Sequence, residues 1–156
     1  MVIMKSFYDF LSFLGIIEFL FRFLGCNNTK GGINMQKVFD SCYEMDKQCY
    51  DEYGLSEDIL MEHAARGMSE YIKKHFEPNS SVLIVSGVGN NGADGMVLAR
   101  GLYGDYDVKL YVPFGVKSDM VKLQLQRAKK LGLNVVDEIT PCDVVVDAIF
   151  GAGLNR

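Results

Sequence analysis

The chain is predicted to be an α/β protein, a Rossmann-like, doubly wound parallel sheet in three α/β/α layers with two helices ahead of it. Three observations predict this. Short, fully apolar runs such as Val82-Leu83-Ile84-Val85 suit strands covered on both faces. These runs alternate with amphipathic stretches of helical length, the pattern of βαβ units. Glycine-bearing turns follow two of the runs, at the end of the sheet where such folds hold their ligands.

Residues 36–53 place Val38, Cys42, Met45, Cys49 and Tyr53 at spacings of three and four, which predicts a helix that Gly54 stops. Ser56 then reads as an N-cap, with Glu57 and Asp58 in the first turn, where the helix dipole favours acids. This second helix runs to His75, with Lys73, Lys74 and His75 at its end and Pro78 beyond. The first strand covers 82–85. A helix opens after the glycine loop and ends near Gly104. Val108, Leu110 and Val112 mark a second strand, closed by Pro113. Ser118 caps a further helix with Val121, Leu125 and Ala128 on its apolar side, and Gly132 ends it. Residues 134–136 and 143–147 are the third and fourth strands.

At 156 residues and 49% hydrophobic composition, the chain can bury a core without disulfides or metals. A net charge of −4 with no basic stripe argues against nucleic acid as a partner. Cys26, Cys42, Cys49 and Cys142 form no CxxC pair, so they read as reduced thiols of a cytoplasmic protein, although a Cys42–Cys49 disulfide stays open.

Residues 1–34 form an apolar N-terminal extension and linker, set apart from a domain over 35–156. The stretch FYDFLSFLGIIEFLFRFL (7–24) resembles a signal peptide or membrane helix, yet it contains Asp9, Glu18 and Arg22. A charge near a bilayer centre costs about 2.5–3.5 kcal/mol. Glu18 and Arg22 are spaced to pair on one helix face, which allows an interfacial or partner-packing helix. A third reading starts the protein at Met35.

The loop VSGVGNNGADG carries Gly87, Gly89 and Gly92 at GxGxxG spacing, opening a helix whose N-terminal amides suit phosphate. A dinucleotide site of the usual kind also needs an acid about 20 residues on, for the ribose hydroxyls. The second strand ends Tyr111-Val112-Pro113-Phe114 and offers none. Asn90, Asn91 and Asp94 are common turn formers. Asp147, ending a VVVD strand, would point into the crevice. A carboxylate, an amide oxygen and loop carbonyls form a hard-oxygen set suited to an alkali or alkaline-earth cation.

In these stretches the chain resembles a known family. EMDKQCYDEYGLSEDILMEHAA, VSGVGNNGADGMVLAR, RAKKLGLNVV and CDVVVDAIFGAGLNR are similar, in that order, to the YjeF N-terminal domain, the NAD(P)H-hydrate epimerase family. The resemblance covers 37–156. It implies an isomerase that interconverts the R and S epimers of hydrated NADH or NADPH in nicotinamide nucleotide repair, with a potassium ion in the crevice. It also implies a dehydratase partner domain, often fused downstream. Asn90, Asn91, Gly92, Ala93 and Asp94 would bind substrate, as would Gly151, Ala152, Gly153, Leu154, Asn155 and Arg156. Asn91 and Asp147 would ligate potassium. Ala93 stands where the family usually has glycine. His63 stands where it often has asparagine, and reads as a helix-packing or a pocket residue. The family's later strand, with a substrate-contacting aspartate and a potassium-holding serine, has no counterpart before Arg156. The domain therefore reads as truncated, its sheet ending at four strands with an open apolar edge. No catalytic residue is assigned. The apolar N-terminal helices are compatible with a homodimer. A non-catalytic nucleotide-binding or interaction scaffold of the same fold is the alternative.

Overall fold

The computed structural model describes residues 2–5 and 43–151. Five strands, β1 (Val2–Lys5), β2 (Ser81–Ser86), β3 (Asp107–Tyr111), β4 (Asn134–Val136) and β5 (Val144–Ala148), form one sheet in the order β1-β5-β2-β3-β4. Every pairing is parallel. Four helices accompany them among the described residues: α1 (Tyr43–Asp51), α2 (Glu57–His75), α3 (Asn90–Leu102) and α4 (Asp119–Leu131). Strand order reverses at β2, which has β3 on one side and β5 on the other. The switch point therefore lies between the carboxyl ends of β2 and β5, where such sheets place a ligand.

The four strands predicted from sequence are present to within a residue at each end. The fifth is not predicted, because Val-Ile-Met-Lys is too short to signal a strand by itself. It pairs along β5, from Val2 opposite Val144 to Lys5 opposite Asp147. The edge of β5 expected to stand open is thus paired, which satisfies backbone groups that an exposed parallel edge would leave free. The apolar stretch 7–24, with its signal, membrane and partner-helix readings, lies outside the described residues. Among the described residues no helix is long and apolar enough to cross a membrane.

Local chemistry sets the helix ends as the sequence predicts. The Ser56 side chain accepts from the Ile59 N–H and the Ser118 side chain from the Val121 N–H, each satisfying a first-turn donor. Gly132 closes α4 at φ 90°, a left-handed conformation that favours glycine. Between β2 and β5 the core is continuous. Val82, Ile84, Val144, Val146 and Ala148 from the sheet meet Ala93, Met96, Val97 and Leu98 from α3, and α2 adds Met61, Ala65, Met68 and Ile72. The alternate residues of β2, Leu83 and Val85, face the other side of the sheet and are buried as well, as a doubly covered strand requires.

A polar network fastens the three long helices together. Gln124 of α4 has no solvent exposure. Its Nε2 donates to Asp58 Oδ1 at 2.7 Å, and its Oε1 accepts from Arg100 Nη2 at 2.9 Å. Arg127 grips Asp58 with two bonds, 2.6 and 2.9 Å, and Arg100 also donates to Glu62. The Arg127 guanidinium holds the Asp58 carboxyl below the usual carboxylate range. Through these bonds α3, whose first turn faces the switch point, is held between α2 and α4. Cys49 and Cys142 are free thiols, and Cys26 and Cys42 lie outside the described residues.

Candidate functional site

At the carboxyl end of β2 the chain turns through Gly87-Val88-Gly89 into α3, and at the end of β5 it turns through Ile149 and Phe150. The two turns pack directly on each other. The Gly87 N–H donates to Ala148 O at 3.0 Å, and a methyl built on Gly87 would lie 2.0 Å from Ile149 O. Gly92 is equally confined, because a methyl there would lie 2.0 Å from Gly87 O. These two glycines are glycines because backbone crosses backbone. Gly89 is exposed and extended, and a methyl on it would meet nothing within 4 Å.

Asn91 is buried, with 5% of its surface exposed, and its amide lies between the first turn of α3 and the turn after β5. Nδ2 donates to Phe150 O at 3.1 Å, while Oδ1 is buried without a partner. Asp147 leaves β5 on the face away from α3, and its Oδ1 accepts from the Ile149 N–H at 2.9 Å. Asn91 and Asp147 each bond the turn after β5, at Phe150 O and at the Ile149 N–H, one from the α3 side of the sheet and one from the other. A buried amide oxygen with no donor is costly unless something positive meets it. The unpartnered Asn91 amide oxygen is a hard ligand of the kind an alkali cation takes. Ser86 Oγ, fully buried at the end of β2, also lacks a partner. Sequence reading passes over Ser86, since a serine ending an apolar run carries no distinguishing signal.

The other predicted substrate residues occupy different surroundings. Asn90 is exposed, and its Nδ2 donates to Glu57 at the start of α2. Asp94, one turn on, is 7% exposed and faces the same helices. Its carboxyl is pushed up to about 8, first by burial and then by the charges of Glu57 and Asp46. Burial, reinforced by Glu57, also raises Asp46, whose Oδ1 is buried without a partner. Asp46 of α1 and Glu57 of α2 thus act electrostatically on Asp94 of α3 beside the glycine loop. Only Asp94 was visible from sequence, because the other two reach it through packing. Ala93 is fully buried in the core, and Gly92 lies against Gly87. His63 is half-buried on α2. Gly151 begins the second loop, and residues 152–156 lie outside the described residues. As the sequence indicates, β3 ends without an acid to hold a ribose. Phe114 follows it instead.

A parallel sheet with a switch point, two interlocked turns at that point and a helix opening from the first define a Rossmann-like α/β domain. The chain belongs to the YjeF-related protein N-terminus family, whose model matches residues 57–156. It is 35% identical over 125 residues to the bifunctional NAD(P)H-hydrate repair enzyme Nnr of Helicobacter pylori, covering 76% of this chain and 27% of that protein. With the NAD(P)H-hydrate epimerase of Leuconostoc mesenteroides it shares 36% identity over 118 residues, covering 72% of this chain and 53% of the relative. The crystal structure of yeast ynu0, YNL200c, superposes with a TM-score of 0.62 at 26% identity, over 70% of this chain and 54% of that one. The chain therefore spans about a quarter of the bifunctional relative and about half of the epimerase.

Proposed function

We propose that this domain catalyses the NAD(P)H-hydrate epimerase reaction, interconverting the R and S epimers of hydrated NADH and NADPH in nicotinamide nucleotide repair. The observation that carries the reading is the Asn91 side chain. In a chain of this family, it leaves an unpartnered, buried oxygen between the two turns of the switch point. A scaffold domain has no use for such an atom, and a site for a cation and an anionic nucleotide does. Relatives that carry the epimerase name support the same reading.

Hydration leaves the nicotinamide ring with a tetrahedral carbon bearing a hydroxyl. Epimerisation must break one bond at that carbon, remake it on the other face, and move a proton with it. Four parts of this chain serve those needs. The open backbone at Gly89 and Asn90, at the positive end of α3, accommodates a phosphate. By the family resemblance, Gly151, Ala152, Gly153, Leu154, Asn155 and Arg156 would supply the other substrate contacts. Asn91 Oδ1, the Asp147 carboxylate and the turn carbonyls would hold potassium, which when bound supplies positive charge beside the anionic substrate. Asp94 holds a proton near neutral pH within the same helical turn, and Glu57 fixes Asn90 above it.

We further take the partner to be an NAD(P)H-hydrate dehydratase domain that consumes the S epimer. The bifunctional repair relatives support this. The test supplies the R epimer of hydrated NADPH to the full chain and follows S formation in potassium and in sodium. Catalysis above the spontaneous rate, dependent on potassium and lost in Asn91→Ala, is expected. No acceleration in either salt removes the enzymatic reading.

A further inference from the structure

We infer that Phe114 and Phe150 form an aromatic clamp for the adenine base of the dinucleotide. This rests on the reading that the crevice takes a hydrated nicotinamide dinucleotide, and it assigns a base-recognition element that the glycine loop cannot supply. Phe114 follows β3 and Phe150 follows β5, the two neighbours of β2. Strands on either side of a third lie about 10 Å apart. Yet the two ring centroids approach to 6.5 Å at an interplanar angle of 34°, so the side chains lean inward over the end of β2. They remain 53% and 61% exposed, the largest exposures of any phenylalanine described. Two phenylalanines held over a crevice in water are poorly placed for stability and well placed to meet a flat apolar face.

Both anchors are fixed. The Phe150 carbonyl accepts from Asn91 Nδ2, and the Phe114 turn ends at Gly115, φ 72°. A planar base stacked on both needs parallel rings about 7 Å apart, so the two rings, 6.5 Å apart and tilted by 34°, must turn parallel to take it. The choice of base follows from topology. In doubly wound folds the second strand of the unit serves the adenosine half, where an acid ordinarily reads the ribose. Here that strand is β3, it ends without an acid, and Phe114 stands in its place. The hydrated nicotinamide ring contains a tetrahedral carbon and stacks poorly, whereas adenine is flat.

The chain contains no tryptophan, so Phe114→Trp in the full chain installs a single fluorescent reporter. AMP and ADP-ribose are expected to quench it, and nicotinamide mononucleotide is not. Phe114→Ala and Phe150→Ala should each weaken ADP-ribose binding about tenfold, within the range for one lost base stack, with an unchanged melting temperature. Phe114→Leu, which keeps apolar volume without a planar face, should bind as weakly as Phe114→Ala. Quenching by nicotinamide mononucleotide alone overturns the adenine assignment. Equal ADP-ribose affinity in the parent and both alanine variants overturns the clamp, as does self-association that the alanine variants abolish while nucleotide binding persists. Quenching by AMP in a protein that fails to epimerise hydrated NADPH sinks the proposed reaction and leaves the clamp standing.

Discussion

Replacing Gln124 with alanine tests whether the helices that carry the site are held by the polar network or by apolar packing alone. The side chain is fully buried and spends both ends of its amide, one on Asp58 and one on Arg100. A hydrogen bond to a charged group is worth about 1.5–3 kcal/mol. The two partners keep other contacts, Arg127 for Asp58 and Glu62 for Arg100, and their side chains are 28% and 18% exposed, so water relieves part of each loss. The lower end of the range applies to each bond, and we expect a destabilisation of about 3 kcal/mol. For a domain of this size that lowers the melting temperature by roughly 6–12 °C. Urea denaturation of the full chain, fitted at a fixed m-value, measures the change directly. Asp58→Ala and the double variant close a cycle, in which residues sharing one network should couple by more than about 0.5 kcal/mol. A loss below about 1 kcal/mol, or strictly additive effects, would show that the network decorates the fold without fastening it.

Asp94 predicts a stability that declines with pH. Its folded carboxyl titrates near 8 and its ordinary value is 3.8, so between those values the folded chain holds a proton that the unfolded chain has lost. Stability should fall as pH rises through that window and level off above it, and Asp94→Asn should flatten the profile. Asp58 has the opposite sign: its carboxyl is held low by Arg127, so its contribution is present at neutral pH and lost on acidification through the depressed value. Asp58→Asn should remove that acid-side loss. Among the loop glycines, Gly87→Ala and Gly92→Ala each drive a methyl to 2.0 Å from a carbonyl oxygen and should cost about 2–3 kcal/mol in thermal melts. Gly89→Ala has open space and an extended backbone, so its melting temperature should match the parent or exceed it.

Much of the molecule is legible in the chain because its signals are local. The serine caps at 56 and 118, the glycine stop at 132 and the apolar runs of β2 and β5 depend on residues a few positions apart, and each appears where the sequence places it. The glycine loop and its failure to meet the dinucleotide pattern are legible for the same reason. The pairing of Asn91 with the turn after Asp147 can be anticipated from topology, since both follow strands that meet at the switch point.

The remainder depends on distance. That Gly87 and Gly92 serve backbone crossings while Gly89 is spared is invisible in a spacing rule, because the carbonyl opposing Gly87 comes from Ile149. Asp94 has an ordinary side chain until α1 and α2 close over it with Asp46 and Glu57, and only then does burial among like charges change when it ionises. Val2–Lys5 becomes a strand because β5 offers an edge, a partner that no window of sequence contains. Periodicity and caps act within one element, so the chain by itself determined the elements and their order. Contacts between elements decided which of those residues became a site, since desolvation, opposing backbones and facing rings exist only after folding.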